Sequence, residues 1–292
     1  MSESIKDEYD TLLGKIYPMS LPLIPFGDYK ITRLIVGGNP FCGNSHFSHE
    51  LDAKMSRYYK EEKVVEILKR CESEGINTIQ ARGDYHRILY WLEFFRRGGG
   101  KLHWIAQTAS EMHDVYQNIR VIASAGAIGI YHHGTQTDKL WQQGKIDQVQ
   151  DYLKCMRDCN VQVGLGTHIP EVITYAEENG WDVDFYMACA YNISRLPRES
   201  AIVSGIERSY DDLFLDEDRE KMCKVIRNTS KTCLLFKILA ASRNCATQQD
   251  VKDAFKYAFS NIKESDAVVV GMFPENEDQI ALNVGYTQTI CG

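Results

Sequence analysis

Three of the eight histidines of this 292-residue chain close short apolar runs: His132 and His133 follow Ile128-Gly-Ile-Tyr, and His168 follows Gly164-Leu-Gly-Thr. Imidazole exchanges protons near neutral pH and is the commonest side-chain ligand of metals. Histidines at the ends of apolar segments therefore point to acid/base chemistry. His132 and His168, with a carboxylate such as Asp84, could also hold a divalent metal, although no ligand spacing such as His-Glu-x-x-His occurs. The plainer alternative is that these rings are hydrogen-bonded wall residues.

Lys237 interrupts the apolar run Cys233-Leu-Leu-Phe-Lys-Ile-Leu-Ala-Ala. An ammonium there must reach a polar opening or lose its proton more easily. It would then fix a substrate anion, balance Asp84, or form a Schiff base with a carbonyl. Arg82-Gly-Asp-Tyr-His is a compact polar segment whose Arg82 and Asp84 could bind substrate or only each other. Asn39, Gln80, Gln107, Tyr191 and Asn192 also follow or close apolar segments, and are read as substrate-binding groups.

These residues share a position only if the elements bearing them are strands of one sheet. From Glu61 onward the chain repeats an amphipathic helix, a glycine stop and a short apolar strand, the pattern of parallel strands joined by crossover helices. Strands are expected at Arg33–Gly37, Ile76–Gln80, His103–Gln107, Ala127–His132, Val161–Gly166, Asp184–Ala188, Cys233–Lys237 and Ala267–Gly271. Eight strands, mostly starting roughly 25 to 35 residues apart, fit a (β/α)8 TIM barrel. No G-x-G-x-x-G turn follows the first strand, which disfavours an open dinucleotide-binding sheet. A hairpin over residues 22–32 turns at Gly27-Asp28. The expected organisation is a single barrel domain over residues 1–292, with a polar leader at 1–21 and long loops at 39–60 and 193–215. Both loops follow strands, on the face where barrel enzymes carry their chemistry. Trp91, Phe94 and Phe95 are read as core.

Composition narrows the function classes. The apolar share of 44% and charged share of 25% suit a globular fold. A net charge of -7 without a basic stripe disfavours nucleic acid, and no apolar run is long enough to span a membrane. The acidic start MSESIKDEYD lacks the features of a secretory signal. Nine cysteines, an odd number without a Cys-x-x-Cys pair, fit a reducing compartment, so a cytoplasmic location is expected. A homo-oligomer is left open.

The segment Pro25-Phe-Gly-Asp-Tyr-Lys-Ile-Thr-Arg-Leu-Ile-Val-Gly-Gly-Asn resembles the N-terminal hairpin and first strand of the aldo/keto reductases. Glu61 to Gln80, Gly144 to Gly166, Tyr191-Asn-Ile-Ser-Arg, and Val270-Gly-Met-Phe-Pro through Gln279 and Asn283 are similar to later segments of that family. The resemblance implies a barrel in which Tyr85 matches the catalytic tyrosine and His133 the catalytic histidine. Gln80 stands where the family has aspartate, and Ile105-Ala-Gln-Thr-Ala-Ser offers no lysine. Without them Tyr85 would be poorly tuned to donate a proton as hydride arrives. The acidic Pro274-Glu-Asn-Glu-Asp loop also suits a phosphate-bearing nicotinamide poorly.

The sequence therefore points to a lyase, hydratase or isomerase acting on a small polar hydroxylated or carbonyl metabolite. His133, Tyr85 and Lys237 are its expected catalytic residues; its cofactor is undetermined, with a divalent metal allowed. An NAD(P)-dependent oxidoreductase is the first alternative, and a non-catalytic binding module the second.

Overall fold

The computed structural model describes residues 20–84, 87–109, 113–195 and 210–292. A hairpin, β1 (Leu23–Phe26) and β2 (Tyr29–Thr32), precedes eight strands: β3 (Leu34–Gly37), β4 (Thr78–Arg82), β5 (His103–Gln107), β6 (Gly129–His132), β7 (Gln162–Thr167), β8 (Phe185–Cys189), β9 (Thr232–Phe236) and β10 (Ala267–Gly271). These eight are parallel and close into a barrel, β10 pairing with both β9 and β3. The expected (β/α)8 barrel with its N-terminal hairpin is what the chain forms.

The strands are recognisable in the sequence because both faces are buried, so they read as continuous apolar runs. Their outward side chains pack under the helices, around Ile79, Trp104, Ile130, Val163 and Leu235. Ile35, Ile105, Tyr131, Phe185, Met187, Leu234 and Val269 face inward and pack with Ile24, Phe26 and Ile31 of the hairpin. The hairpin thus plugs the base, with Phe26 and Phe185 ring centroids 5.0 Å apart. Its two-residue turn needs Gly27, which has φ +58° and lies against the Gln162 amide.

Glycine normally weakens a strand, yet β6 and β7 carry Gly129, Gly164 and Gly166. Large inward rings explain the cost. A Cβ on Gly164 would lie 2.3 Å from Phe185 Cζ and 2.6 Å from Tyr131 Cβ. Because both rings are buried, Gly164→Ala should destabilise the fold by about 1–3 kcal/mol through overpacking. Urea unfolding measures this, and an unchanged midpoint would show that the rings can yield.

The expected loop at 39–60 instead contains a 3-10 turn, Pro40–Cys42, and helix α1, His49–Tyr58. Ser48 caps α1 by accepting the Leu51 N–H, and only Met55 of the helix is buried. Most of the 193–215 loop, residues 196–209, lies outside the described residues. Trp91 and Phe95 are buried as expected. Phe94 is not: it is 55% exposed and packs on exposed Tyr90, because this helix buries only one stripe. No helix among the described residues is long and apolar enough to cross a membrane.

Candidate active site

Side chains alternate along β6, so the paired histidines do not share a destination. Tyr131 takes the inward position, and its hydroxyl accepts from Gln80 Nε2 at 2.7 Å and donates to Gln107 Oε1 at 3.1 Å. This trio joins β4, β5 and β6 across the floor of the mouth. Burial pushes the Tyr131 phenol well above its usual range. Gln80 and Gln107 thus lie at the mouth, but each already has a partner there.

His132 points outward into the helix layer. Its ring stacks on Tyr152 at 5.1 Å and 14°, and Nδ1 lies 2.8 Å from Thr137 Oγ1. Burial lowers its pKa to about 4, against a smaller opposing effect of Asp138, so the ring is neutral. The ring, expected as a metal ligand, makes its contacts within the helix layer. Among the described residues no three or more His, Cys, Asp or Glu side chains are grouped as metal ligands.

His168 directly follows β7 and is 5% exposed. It continues the inward register of β7, and its ring meets that of Phe236 edge-on at 5.5 Å. Its Nδ1 lies 2.6 Å from Oδ2 of Asp138, a residue 1% exposed on helix α2, Gly134–Gln142. The same carboxylate accepts from Thr167 Oγ1 at 2.5 Å, Ser194 Oγ at 2.5 Å and the His168 backbone N–H at 3.2 Å. Two hydroxyls and an amide thus donate to one carboxylate. A carboxylate only accepts, so Nδ1 must carry the proton, and Nε2 is the basic nitrogen of the neutral ring. The contact holds the ring in one tautomer against a buried acid.

The sequence reading missed Asp138, Ser194 and Tyr131. Period-two counting from Gly129 could have found Tyr131. Asp138 and Ser194 carry no local signal: 30 and 26 residues from His168, they reach it only when neighbouring strand and helix units pack together.

The remaining expected residues scatter. His133 follows β6 half-buried, its N–H bonded to Thr108 Oγ1, and its carbonyl begins α2. Asp84 Oδ1 accepts the Arg87 and Ile88 N–H groups, capping the next helix, while Oδ2 is 3.6 Å from Arg82 Nε. Tyr191 is buried in the helix layer, where its hydroxyl accepts from Asn244 Nδ2 and burial raises its pKa. Asn192 shapes the turn that delivers Ser194, its Oδ1 accepting the Ser194 N–H. Both side chains thus bond away from the Gln80–Tyr131–Gln107 floor. Tyr85 lies outside the described residues.

A cavity of about 300 Å³ opens beside this site at the ends of β3, β9 and β10. Gln80 and Phe236 are shared with the mouth, and Asn39, Lys237, Gln279 and Asn283 line the rest. The chain leaves β9 through an unusual turn: Lys237, Ala240, Ala241 and Ser242 have φ of 60°, 49°, 49° and 72°. Left-handed conformations cost roughly 1–2 kcal/mol per non-glycine residue, so surrounding contacts must impose them.

Comparison with solved structures finds this architecture elsewhere. A truncated 3-deoxy-D-arabino-heptulosonate 7-phosphate synthase from Thermotoga maritima aligns over 95% of this chain and 92% of its own, with TM-score 0.51 and 13% identity. A dihydropteroate synthase from Xanthomonas albilineans aligns over 92% and 96%, with TM-score 0.51 and 14% identity. The shared feature is the barrel. At such identities the likeness is one of fold, and it does not single out the aldo/keto reductases. No family model matches the sequence, and no curated protein matches it.

Proposed function

We propose that the chain is an enzyme of the lyase or isomerase type that moves protons on a small hydroxylated or carbonyl metabolite. The observation that carries this reading is the buried His168–Asp138 pair at a strand end, beside an open cavity. His168 Nε2 takes a proton from a carbon next to a carbonyl, or from a hydroxyl, and returns it to the adjacent position or to a leaving group. Asp138 stabilises the imidazolium formed on the way. Tyr131, locked between Gln80 and Gln107, forms a polar floor. Arg82 and Lys237 fix the substrate's polar groups, and His133 is a second proton-transfer group. The substrate is a free small molecule rather than nucleic acid, and the cytoplasm is the proposed location.

A second reading, a nicotinamide-linked oxidoreductase of aldo/keto reductase type, is favoured by one observation. The Asn283 side chain lines the cavity and is 4% exposed. An amide on a cavity wall can both donate to and accept from a ligand. Asn283, Gln279 and Lys237 would hold the nicotinamide cofactor, whose chemistry is hydride transfer. Glu277 on the same wall opposes phosphate groups.

Proton NMR in D2O with three- to six-carbon hydroxy ketones and keto acids separates the two readings. Deuterium should enter positions next to the carbonyl without added cofactor. Carbonyl reduction that depends on NADH or NADPH, with no exchange in its absence, would favour the second reading.

A further inference from the structure

Segments that follow three different strands meet at one side chain near the cavity. Arg243, in the left-handed turn after β9, donates from one guanidinium nitrogen to His46 O at 3.1 Å and from another to Tyr210 O at 3.1 Å. The first nitrogen also lies 3.4 and 3.3 Å from the carbonyls of Ala240 and Ala241, within the turn itself. The guanidinium carbon is 4.3 Å from the Phe214 ring centroid and 5.5 Å from that of Phe47. The segment after β3, the segment after β8 and the turn after β9 thus converge on one planar cation. Asn44, Ser45, His46 and Leu51 from the first of these, and Ala241 and Ser242 from the last, line the cavity beneath.

The choice of residue fits the task. Arginine has a flat fork that can donate in its plane while its faces rest on aromatic rings, which lysine cannot reproduce. Burial lowers the Arg243 pKa, and its hydrogen bonds run to neutral carbonyls, so the cation sits where desolvation opposes it. An arrangement that costs desolvation and left-handed backbone, yet ties loops instead of core elements, acts on the loops.

A second tie lies beside it. The Tyr210 hydroxyl donates to Asp52 Oδ2 at 2.8 Å and approaches His49 Nδ1 at 3.2 Å, with the two rings edge-on at 4.7 Å. Asp52 also accepts the Ser45 N–H and hydroxyl. Through it the cavity-lining segment 44–52 and the segment beginning at Tyr210 form one hydrogen-bonded unit.

We infer that Arg243 is the clasp of a two-segment cover, 44–58 and 210–215, which opens as a unit to admit a small molecule to the cavity. Arg243 is a positioning residue and takes no part in the chemistry. The inference is independent of the role given to His168, because opening of the cover can be followed without turnover.

Hydrogen–deuterium exchange on the full chain tests it. Replacing Arg243 by Met should speed amide exchange in 44–58 and 210–215 at least tenfold, with peptides from β5 to β8 unchanged. Arg243→Lys should restore little of the protection, since a point charge cannot bridge the carbonyls while lying on the rings. Ala241→Gly, which removes the strain and keeps the guanidinium, should leave 44–58 as slow as in the parent. Unchanged exchange in Arg243→Met, or a rise spread evenly over the barrel, would overturn the inference. If Arg243→Met does not fold, exchange of the parent across a urea series decides: equal opening free energies for both segments support a single cover, and unequal ones refute it.

Discussion

Replacing His168 with glutamine is expected to lower turnover by about 10²–10⁴-fold, the usual contribution of a positioned proton-transfer group. The glutamine amide can still donate to Asp138, so the buried carboxylate keeps a partner while the basic nitrogen is lost. Asp138→Asn tests the other half of the pair. An amide nitrogen presented to Nδ1 favours the opposite tautomer, with the proton on Nε2, and should cost on the order of 10³-fold or more. The Thr167 and Ser194 hydroxyls, which now donate to Asp138, would also have to reorient, adding about 1–3 kcal/mol of destabilisation. Unfolding midpoints measured alongside kcat and KM separate the effects. Loss in kcat at little change in KM, with His168→Gln near parental stability, is the expected pattern. Full activity in His168→Gln would remove the imidazole from the mechanism.

His132 should make the fold sensitive to mild acid, for a reason unrelated to catalysis. Its pKa is about 4 in the folded protein and near 6.5 in an unfolded chain. As pH falls below 6.5 the unfolded state binds the proton first, so stability is lost through the window from 6.5 down to about 4 and is complete above it. At about 1.4 kcal/mol per pKa unit the full loss is about 3 kcal/mol, of which about 2 kcal/mol is reached by pH 5. His132→Phe keeps an aromatic ring against Tyr152, and Thr137 Oγ1 retains the His133 carbonyl as acceptor. Urea unfolding at pH 7.5 and 5.0 should show parent and variant diverging by that amount, carboxylate titration being common to both. Equal losses in the two proteins would place His132 in contact with water.

The barrel was legible because its strands are buried on both faces and its helices carry apolar stripes, features written locally in the chain. All eight expected strands lie within two residues of their observed bounds. Helix α1 escaped because six of the ten residues of His49–Tyr58 are polar and the helix buries one residue; its cap at Ser48 was the available signal. That chemistry-bearing residues gather at strand ends was also readable, but the direction of each side chain was not. His132 and His133 are neighbours in sequence, yet the pleat sends the first into the helix layer. Asp138 looks like one more charge on a helix until β7 is laid against α2, and its role depends on that contact. The turn at 237–242 places left-handed conformations on Lys, Ala and Ser, residues whose local preferences point elsewhere. No local rule predicts it.

The most direct test of the central claim is the ¹⁵N chemical shift of the two ring nitrogens of His168, followed with pH in uniformly labelled protein and assigned with His168→Gln. A neutral ring protonated at Nδ1 and bare at Nε2 is the result that the contact with Asp138 requires. A neutral ring protonated at Nε2 would contradict the account, because the nitrogen assigned as the base would already hold its proton.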